Sequence, residues 1–436
     1  NLDEALFYAP TPALDIPAGE ESDNLQIEAP PGRFNIRGLP ANRTRNFLPI
    51  AHNADVYNIT RFEEQRGPNS ILYGIGSPAG IINANTKRAI LGDSFHKASL
   101  MGSSAGGFRG TLDLNQDLGE RFALRLNTVY SDLDDPIAEH AYTKTEGAHL
   151  AFTAKITDKI RFWAEGERVD QDSVAPIART PDEHVSTWLY NSPLPAVIFA
   201  NNANPGLNLA QHGLASLGNA RRVTYIANDG TVQNFQGLHT TTGTGNITWA
   251  QNFPELWDNS ANPGGPNNLR QNEFYSFGGG LEVAFSRKTF LELSFNRNGL
   301  ETESAGFIAE AIRATPNQFY RDGTPNPHVG QFYVEGQYRM WDRSTDYTSY
   351  RATLSHEQDF GKFGNYRLAL MYERDYEENT NVQRREAWVD ANGMGLYHSD
   401  PRNGNNVVRR RVYFNPFDPA GIDWSQVNAS GPGANG

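Results

Sequence analysis

Cysteine is absent from this chain of 436 residues. Its absence excludes thiol catalysis, disulfide scaffolds and zinc sites with Cys ligands. No run of about 18 apolar residues occurs, so the sequence predicts no transmembrane helix. Positive charge is also scarce, because 38 Lys and Arg residues stand against 50 Asp and Glu residues, for a formal net charge of −12. A nucleic-acid-binding protein needs a concentrated basic surface, so nucleic acid is not expected as a partner.

Turn-forming and aromatic residues are abundant instead. The chain holds 41 Gly, 25 Pro and 18 Tyr residues, while hydrophobic residues make up 38% and the mean hydropathy is −0.58. This is little apolar material for several compact cores. Such a composition is typical of a disordered chain, of a β protein with long loops, or of a transmembrane β-barrel with a hydrated interior.

The sequence changes character near residue 92. Before it, short segments broken by Pro and Gly predict a small mixed α/β domain, with a helix within the first ten residues. After it, apolar and polar residues alternate with a period of two, as in 121–131, 148–156 and 160–169. This alternation predicts strands with one apolar and one polar face, and about ten or eleven of them are expected between 95 and 420.

Two connections between strands are predicted in detail. The apolar residues of 281–285 share a face with those of 290–296 only if paired residue numbers sum to an even total, which requires an odd loop or a bulge. We therefore predict a three- or five-residue connection around Arg287 and Lys288. A five-residue turn containing two glycines is predicted at 361–365.

Long polar stretches separate the strand pairs, at roughly 171–272, 298–345 and 379–406. Structureless loops of this length are unusual inside a compact soluble domain. On a transmembrane barrel, short turns at one rim and long loops at the other are the expected arrangement. The three stretches are therefore predicted to be long extracellular loops.

The segment 66–89 contains Gly74-x-Gly76-x-x-Ala79, a pattern close to a dinucleotide-binding loop. That loop requires a following helix whose N-terminus meets the phosphate. Here the next residues are β-branched, alternating and too few for such a helix. A plain glycine-rich turn between two strands is a second interpretation, in which Gly74, Gly76 and Gly80 supply positive φ angles.

An ordered series of motifs gives a third interpretation of the same region. The chain has Ile36-Arg37-Gly38, then D-x-Y-N-I-x-R-x-E at 55–63, then R-G-P-x-S-x-L-Y-G-x-G-S-P-x-G-x-I-N at 66–83, and T-K-R at 86–88. This series resembles the plug domain of TonB-dependent outer-membrane receptors. The residues of the plug motif are Gly67, Pro68, Tyr73, Gly74, Gly76, Pro78 and Gly80.

The resemblance implies a transmembrane antiparallel β-barrel of about 22 strands with a small mixed α/β plug domain inside it. Residues 1–92 would be the plug, without its N-terminal part, and 93–436 would be the N-terminal portion of the barrel, about half of its strands. Because so few strands cannot close a barrel, the chain is expected to be a fragment or one part of a longer protein. The family carries out no covalent catalysis, so no enzyme activity, cofactor or metal is expected.

The resemblance also implies TonB-dependent uptake of a large nutrient across the bacterial outer membrane. A ferric siderophore, a glycan and a vitamin stay open as the substrate. The implied partners are the nutrient, outer-membrane lipid, and the TonB energy-coupling complex, which would act through an N-terminal segment not present in the chain. A secreted or surface β-rich carbohydrate-binding protein without transport stays open as the alternative, because the loops are rich in Asn and aromatic residues.

Two sets of site residues are predicted. The loop at 39–53 carries charged, amide and aromatic groups suited to substrate contact, unless its arginines face an acidic barrel wall. The candidate substrate-binding residues are Asn42, Arg43, Arg45, Asn46 and Phe47. By the resemblance, Arg37, Glu63 and Arg66 match positions whose charges hold the plug against the barrel. Confined charges require partners, so at least two of these three are expected to form salt bridges.

Overall fold

The structure of the chain is a computed structural model. It describes residues 12–14, 34–36, 39–40, 42–51, 55–66, 80–174, 182–183, 223–226, 232–235, 266, 268–314, 327, 332–396, 398–400 and 406–414. Strands account for nearly all regular structure in these ranges, with one short 3-10 helix at Gly361–Phe363. In the same ranges, no helix has the length and apolar character needed to cross a membrane. The helix predicted within the first ten residues lies outside the described residues.

Seven short strands precede residue 95 and form two small sheets, which together we call the plug. The first sheet has the order β1-β2-β3, and the second has the order β5-β4-β7-β6 with β4 parallel to β7. The strands are β1 Pro12–Leu14, β2 Phe34–Ile36, β3 Leu39–Pro40, β4 Asn42–Arg45, β5 Leu48–Pro49, β6 Ile59–Arg66 and β7 Gly80–Thr86.

Thirteen strands of the described ranges follow residue 94, most of them longer, and eleven of these form one large sheet, which we call the wall. The thirteen strands are β8 Phe95–Gly102, β9 Gly107–Asp117, β10 Phe122–Asp134, β11 Tyr142–Thr157, β12 Ile160–Val174, β13 Asp182–Glu183, β14 Val223–Ile226, β15 Val232–Phe235, β16 Leu269–Ser286, β17 Thr289–Ala314, β18 Phe332–Asp359, β19 Asn365–Arg385 and β20 Arg409–Phe414. The wall has the order β19-β18-β17-β16-β12-β11-β10-β9-β8, with β13 beside β17 and β20 beside β18, while β14 and β15 pair with each other.

The strands predicted from period-two alternation are confirmed, but the predicted loops are too long. β17 continues to Ala314 and β18 begins at Phe332, well inside the stretch 298–345. β12, β16 and β19 likewise extend into the stretches 171–272 and 379–406. The ends of β12, β16 and β19 carry polar residues on both faces, so their composition resembles that of a loop although their backbone stays in the sheet.

The connection between β16 and β17 is two residues long, so the predicted three or five residues are wrong. The predicted even register is confirmed, since Leu281 lies opposite Leu293. A bulge between Ala284 and Ser286 shifts the register by one residue, which allows the shorter turn. The connection between β18 and β19 spans 360–364, five residues as predicted and one position earlier.

The two faces of the wall have opposite chemistry. The face toward the plug buries polar side chains, among them Asn127 and Asn272. The other face is apolar and open, with Phe277 59% exposed and Leu370 54% exposed. A sheet in a soluble protein buries its apolar face, so this arrangement is that of a transmembrane barrel, whose outward residues meet lipid and whose interior is polar.

One row of the inner face is apolar. Its members lie directly opposite one another on β10, β11, β12, β16 and β17: Val129, Gly147, Val169, Phe274 and Leu300. Tyr57 and Ile50 of the plug pack against this row, and with it they form one buried hydrophobic cluster. The apolar row therefore fixes the height at which the plug sits in the wall.

Gly147 makes room in this row for Tyr57. A Cβ atom at Gly147 would lie 3.3 Å from the Tyr57 hydroxyl and 3.0 and 3.2 Å from side-chain carbons of Val129 and Val169. Contacts this short are tighter than ordinary packing, so a larger residue would have to displace the tyrosine ring. The glycine is needed here for space.

We expect Gly147→Val to weaken plug docking by about 1–3 kcal/mol, because overpacking a filled site forces side chains out of favoured rotamers. The measurement is thermal unfolding in detergent, together with limited proteolysis of the plug. Gly102→Val is the matched control, since a Cβ atom there would meet nothing within 4 Å. Equal protease resistance in the two variants would contradict the packing role of Gly147.

Candidate functional site

The wall has two different rims. At one rim, which we call the short-turn rim, β9–β10, β11–β12, β16–β17 and β18–β19 are joined by four, two, two and five residues. The opposite rim, the long-loop rim, carries the connections 135–141, 175–268, 315–331 and 386–408. The contacts between plug and wall lie between these rims, on both sides of the apolar row.

A buried ion pair joins the plug to the wall one step from the apolar row toward the short-turn rim. Arg45, the last residue of β4, pairs with Glu167 of β12, and their side chains are 3% and 1% exposed. The guanidinium also lies 5.4 Å from the centre of the Phe274 ring. A charge this deeply buried is tolerated only with a partner, so each of the two groups holds the other in place.

Glu165, two residues earlier on the same face of β12, collects further contacts with the plug. Its carboxylate accepts hydrogen bonds from the Thr86 hydroxyl at 2.6 Å and from the Asn46 amide at 2.9 Å. The Nε2 atom of His149 lies 3.6 Å away. Adjacent inward positions of one wall strand thus contact both β4 and β7 of the plug.

A tight turn after β4 directs these side chains at the wall. Asn46 and Phe47 have positive φ angles of 50° and 64°, a conformation that is uncommon for residues other than glycine. The Asn46 side chain offsets the strain by accepting a hydrogen bond from the Thr86 backbone at 3.1 Å. The Phe47 backbone donates to Asn83 at 2.8 Å, and its carbonyl accepts from Arg351 of β18.

The β5 end of this turn is held by Asn298 of β17. Its amide nitrogen donates to the Pro49 carbonyl at 2.9 Å, and its amide oxygen accepts from the Ala51 backbone at 2.8 Å. Wall side chains therefore provide hydrogen bonds to plug backbone that short strands leave unpaired.

Residues 87–93, which make up all but the last residue of the connection between β7 and β8, are bonded to the wall along their length. Asn115 of β9 donates to the carbonyls of Ile90 and Asp93 at 2.9 and 2.7 Å, and accepts from the Ile90 backbone at 2.9 Å. The Thr153 hydroxyl donates to a carbonyl of the same segment at 2.8 Å. We call residues 87–93 the junction segment.

Arg88 is the charged contact of the junction segment. Its guanidinium lies 4.1 Å from the centre of the Trp163 ring and pairs with Glu282 at 2.8 Å. Its carbonyl accepts from Arg125 at 3.1 Å. Trp163 in turn packs over Gly280, where a Cβ atom would lie 2.5 Å from the indole nitrogen. Stacking and charge pairing together fix this end of the plug.

On the long-loop side of the apolar row, Asp55 of the plug pairs with Arg109 of β9. Two hydrogen bonds of 2.8 and 2.6 Å join the two groups. A cleft of about 470 Å³ opens beside this pair toward the long-loop rim. Its polar lining includes Asp55, Arg109, Asp134, Asp135, Tyr142 and Gln171.

Asp55, Tyr57 and Glu167 link this cleft to the buried ion pair. The Asp55 carboxylate accepts from the Tyr57 backbone at 2.8 Å. Burial raises the pKa of the Tyr57 phenol, and the nearby Glu167 carboxylate raises it further. The phenol therefore stays protonated beside the partner of Arg45.

The structure separates the residues predicted to bind substrate. Arg45 is enclosed by the wall and paired with Glu167, which is the contact with an acidic wall given above as the alternative to substrate contact. Asn46 is bonded to Glu165 and Thr86. Arg43 and Phe47 are half-buried, and Asn42 is described by its backbone alone. Substrate contact by these five residues stays a prediction.

The residues predicted to hold the plug are only partly described. Glu63 forms a salt bridge with Arg61 at 2.5 Å and accepts from Asn85 at 2.9 Å, both within the plug, and its contact with the wall stays a prediction. Arg37 lies outside the described residues, and of Arg66 only the backbone is described, so their salt bridges stay predictions.

The glycine-rich motif lies mostly outside the described residues. This applies to Gly67, Pro68, Tyr73, Gly74, Gly76 and Pro78. Gly80 is described and begins β7 with a φ of 132°, which confirms the positive φ expected of a glycine at that point.

The wall residues that contact the plug were missed by sequence reasoning. Glu165 and Glu167 stand at alternate positions of 160–169 together with Trp163, so the predicted alternation places all three on one face of the strand. Two carboxylates in register on an inward face are the signal that could have indicated a cationic partner in the plug.

Comparisons with known proteins agree with this architecture. No family model matches the chain. The catecholate siderophore receptor Fiu of Escherichia coli K12 is 40% identical over 75 residues, which are 17% of this chain and 10% of that receptor. The probable TonB-dependent receptor BfrD of Bordetella pertussis is 37% identical over 81 residues, 19% of this chain and 11% of that receptor.

Solved structures match over far more of the chain. The siderophore receptor PiuA of Acinetobacter baumannii gives a TM-score of 0.59 at 15% identity, over 94% of this chain and 50% of its own. The pyoverdine receptor FpvA of Pseudomonas aeruginosa gives 0.60 at 13% identity, over 95% of this chain and 47% of its own. The chain spans about half the length of these structures. The described chain therefore has the fold of the TonB-dependent outer-membrane receptors, with a plug held against the inner face of part of their antiparallel barrel.

Proposed function

We propose that this chain is part of a receptor that takes up a ferric siderophore across the bacterial outer membrane, driven by the TonB energy-coupling complex. The observation that carries the proposal is the plug docked on the polar face of a sheet whose opposite face is apolar and open. Relatives named as a catecholate siderophore receptor and a probable TonB-dependent receptor support the substrate class and the energy source.

The outward apolar band has a height suited to a membrane. On β16 it runs from Phe277 to Phe285, a span of about 27 Å at roughly 3.4 Å per residue. A strand tilt of about 40° reduces this span to roughly 20 Å across the bilayer, close to the apolar band of outer-membrane barrels. Arg168, opposite Tyr275 at the next outward level, forms an ion pair at 2.9 Å with Glu273 one level further, as expected where the band meets water.

In this proposal the cleft beside Asp55 and Arg109 faces the outside of the cell and contacts the ligand. It opens toward the long-loop rim, where large loops can enclose a bulky chelate. The Asp55 carboxylate accepts a hydrogen bond from the Tyr57 backbone, and the Tyr57 side chain belongs to the same buried cluster as Phe274, whose ring contacts the Arg45 guanidinium. A ligand that displaces Asp55 would therefore disturb the packing of Tyr57 and weaken plug docking.

The contacts between the body of the plug and the wall are reversible, whereas the junction segment is held in a fixed position. Ion pairs and amide bonds join the body of the plug to the wall, and water can replace them when TonB pulls. The junction segment is held by Asn115, Arg125 and Thr153, so its position is maintained while the plug moves. A displaced plug would then stay attached to the wall through the junction segment and return to its docked position.

Arg45→Met should weaken plug docking by about 3–5 kcal/mol, because Glu167 would be left buried and unpaired. Combining it with Glu167→Met should restore most of the loss, since neither charge remains. The measurement is protease resistance of the plug in both single variants and the double variant, analysed as a double-mutant cycle. Additive losses would show that the two side chains do not stabilise docking as a pair.

Arg109→Gln should reduce binding of an iron(III) tris-catecholate about tenfold, because Arg109 is the one cation among the described lining residues, and without it Asp55, Asp134 and Asp135 would repel a trianionic complex. Binding is measured by quenching of intrinsic fluorescence on titration. Arg168→Gln is the control, since that arginine is exposed on the outward face. Unchanged affinity in Arg109→Gln would exclude this cleft as the site of the chelate.

The alternative, a secreted carbohydrate-binding protein, predicts different solution behaviour. As a receptor, the protein should fractionate with outer membranes, require detergent for extraction and migrate differently on gels before and after heating, because the outward band is apolar. Recovery of a folded, monomeric protein in buffer without detergent, combined with binding of a neutral oligosaccharide, would favour the carbohydrate-binding alternative.

A further inference from the structure

The outward face of the wall carries a groove at the level of Gly279. Ala164 of β12 lies opposite Gly279 of β16, which lies opposite Phe295 of β17. Two of the smallest residues thus stand side by side on a face of large side chains, and a depression of about 540 Å³ results. Aromatic rings border it: Phe162, Phe277, Phe295 and Tyr350.

The groove is preformed and its floor is backbone. A Cβ atom at Gly279 would lie 2.9 Å from the Trp163 carbonyl oxygen, so no larger residue fits there without a shift. The Phe295 ring holds its neighbours in place, with centroid distances of 6.3 Å to Phe277 and 5.2 Å to Tyr350. These rings are nonetheless open, with Tyr350 47% exposed.

A cation lies just beyond the lining of the groove, on the side toward the long-loop rim. Arg297 lies directly opposite Phe277 and two residues beyond Phe295 on the same face of β17, and it is exposed. One level further, the Tyr275 hydroxyl donates to Asp346 at 2.5 Å, which marks the start of polar surface. An apolar channel therefore ends at a guanidinium.

We propose that this groove binds one acyl chain of a phosphate-bearing membrane lipid, whose phosphate pairs with Arg297. The inference rests on the proposed function in that the outward face must lie in the membrane. A hydrocarbon chain matches the lining, and a guanidinium is the side chain that best holds a phosphate, through paired hydrogen bonds. A volume of about 540 Å³ is within the roughly 300–1,000 Å³ typical of specific small-molecule sites.

The test uses the receptor in non-ionic detergent with dipalmitoyl phosphatidylglycerol, and native mass spectrometry counts the lipids retained. We expect one retained lipid per protein. Ala164→Leu should reduce retention at least tenfold, because the longer side chain enters the groove from its own outward position. Ala98→Leu is the matched control, an exposed outward alanine that lies opposite Leu112 on a distant part of the wall.

A second variant separates the two parts of the lipid. Arg297→Gln should lower retention of dipalmitoyl phosphatidylglycerol while leaving retention of dipalmitoyl glycerol, which has no phosphate, unchanged. Equal retention in Ala164→Leu and Ala98→Leu would overturn the proposal, as would equal retention of dibutyryl phosphatidylglycerol. A change in oligomer mass in place of lipid count would assign the groove to a second copy of the chain.

These results are distinguishable from failure of the proposed function. If uptake of the iron chelate persists in cells while Ala164→Leu retains lipid normally, the groove proposal alone falls. If the protein is extracted without detergent and takes up no chelate, the receptor function itself falls.

Discussion

Charges on the inner face of the wall must be neutralised by whatever fills the barrel, and this constraint organises the plug. Carboxylates at Glu165 and Glu167 cannot stay ionised in a confined space without partners. The plug supplies Arg45, Asn46 and Thr86 at matching heights. The opposite arrangement also occurs, because the carboxylate of Asp55 in the plug pairs with the guanidinium of Arg109 in the wall. Plug and wall are therefore complementary in charge at Glu167 and Arg109, and in hydrogen bonding at Glu165.

The apolar row determines the position of the plug along the wall strands, which the ion pairs alone could not do. Ion pairs in a hydrated interior can exchange partners along a strand, since neighbouring inward positions carry similar groups. Tyr57 fits only where Gly147 leaves room between Val129 and Val169. Once the Tyr57 ring is placed there, the Arg45–Glu167 and Asp55–Arg109 pairs are aligned across the interface. Packing selects the position of the plug, and charge then stabilises it.

Much of this architecture could be predicted from sequence, for identifiable physical reasons. Period-two alternation in 121–131 and 160–169 gives both the strands and the faces, because side chains of a strand alternate strictly. The even register between Leu281 and Leu293 follows from the same periodicity, whereas the two-residue turn does not. A bulge between Ala284 and Ser286 lengthens one strand locally, and no side-chain pattern in that stretch records it.

The site was harder to predict, because its contacts join residues far apart in the chain. From sequence alone Arg45 could contact either a substrate or an acidic wall, because its partner Glu167 lies 122 positions later in the chain. Glu63 forms its salt bridge with Arg61 of the plug, while its contact with the wall stays a prediction. A local pattern states which face a residue occupies, but the identity of the group across the interface depends on how the two sheets are docked.

The junction segment also divides the plug into parts of different mechanical strength. Asn115 alone makes three hydrogen bonds to its backbone, and Arg88 adds a stacked ring and an ion pair. A load applied to the other end of the plug would be resisted by single side-chain contacts first. These anchored residues would yield last, so the chain stays continuous with the barrel under tension.

The run Gly278–Gly279–Gly280 bears on the shape of the barrel itself. With no side chain on either side, the sheet at this level of β16 is one backbone thick, between Trp163 inside and the open groove outside. Glycines are the positions at which closed sheets take their sharp bends. Curvature can therefore concentrate at this strand, and the outline of the barrel need not be circular there.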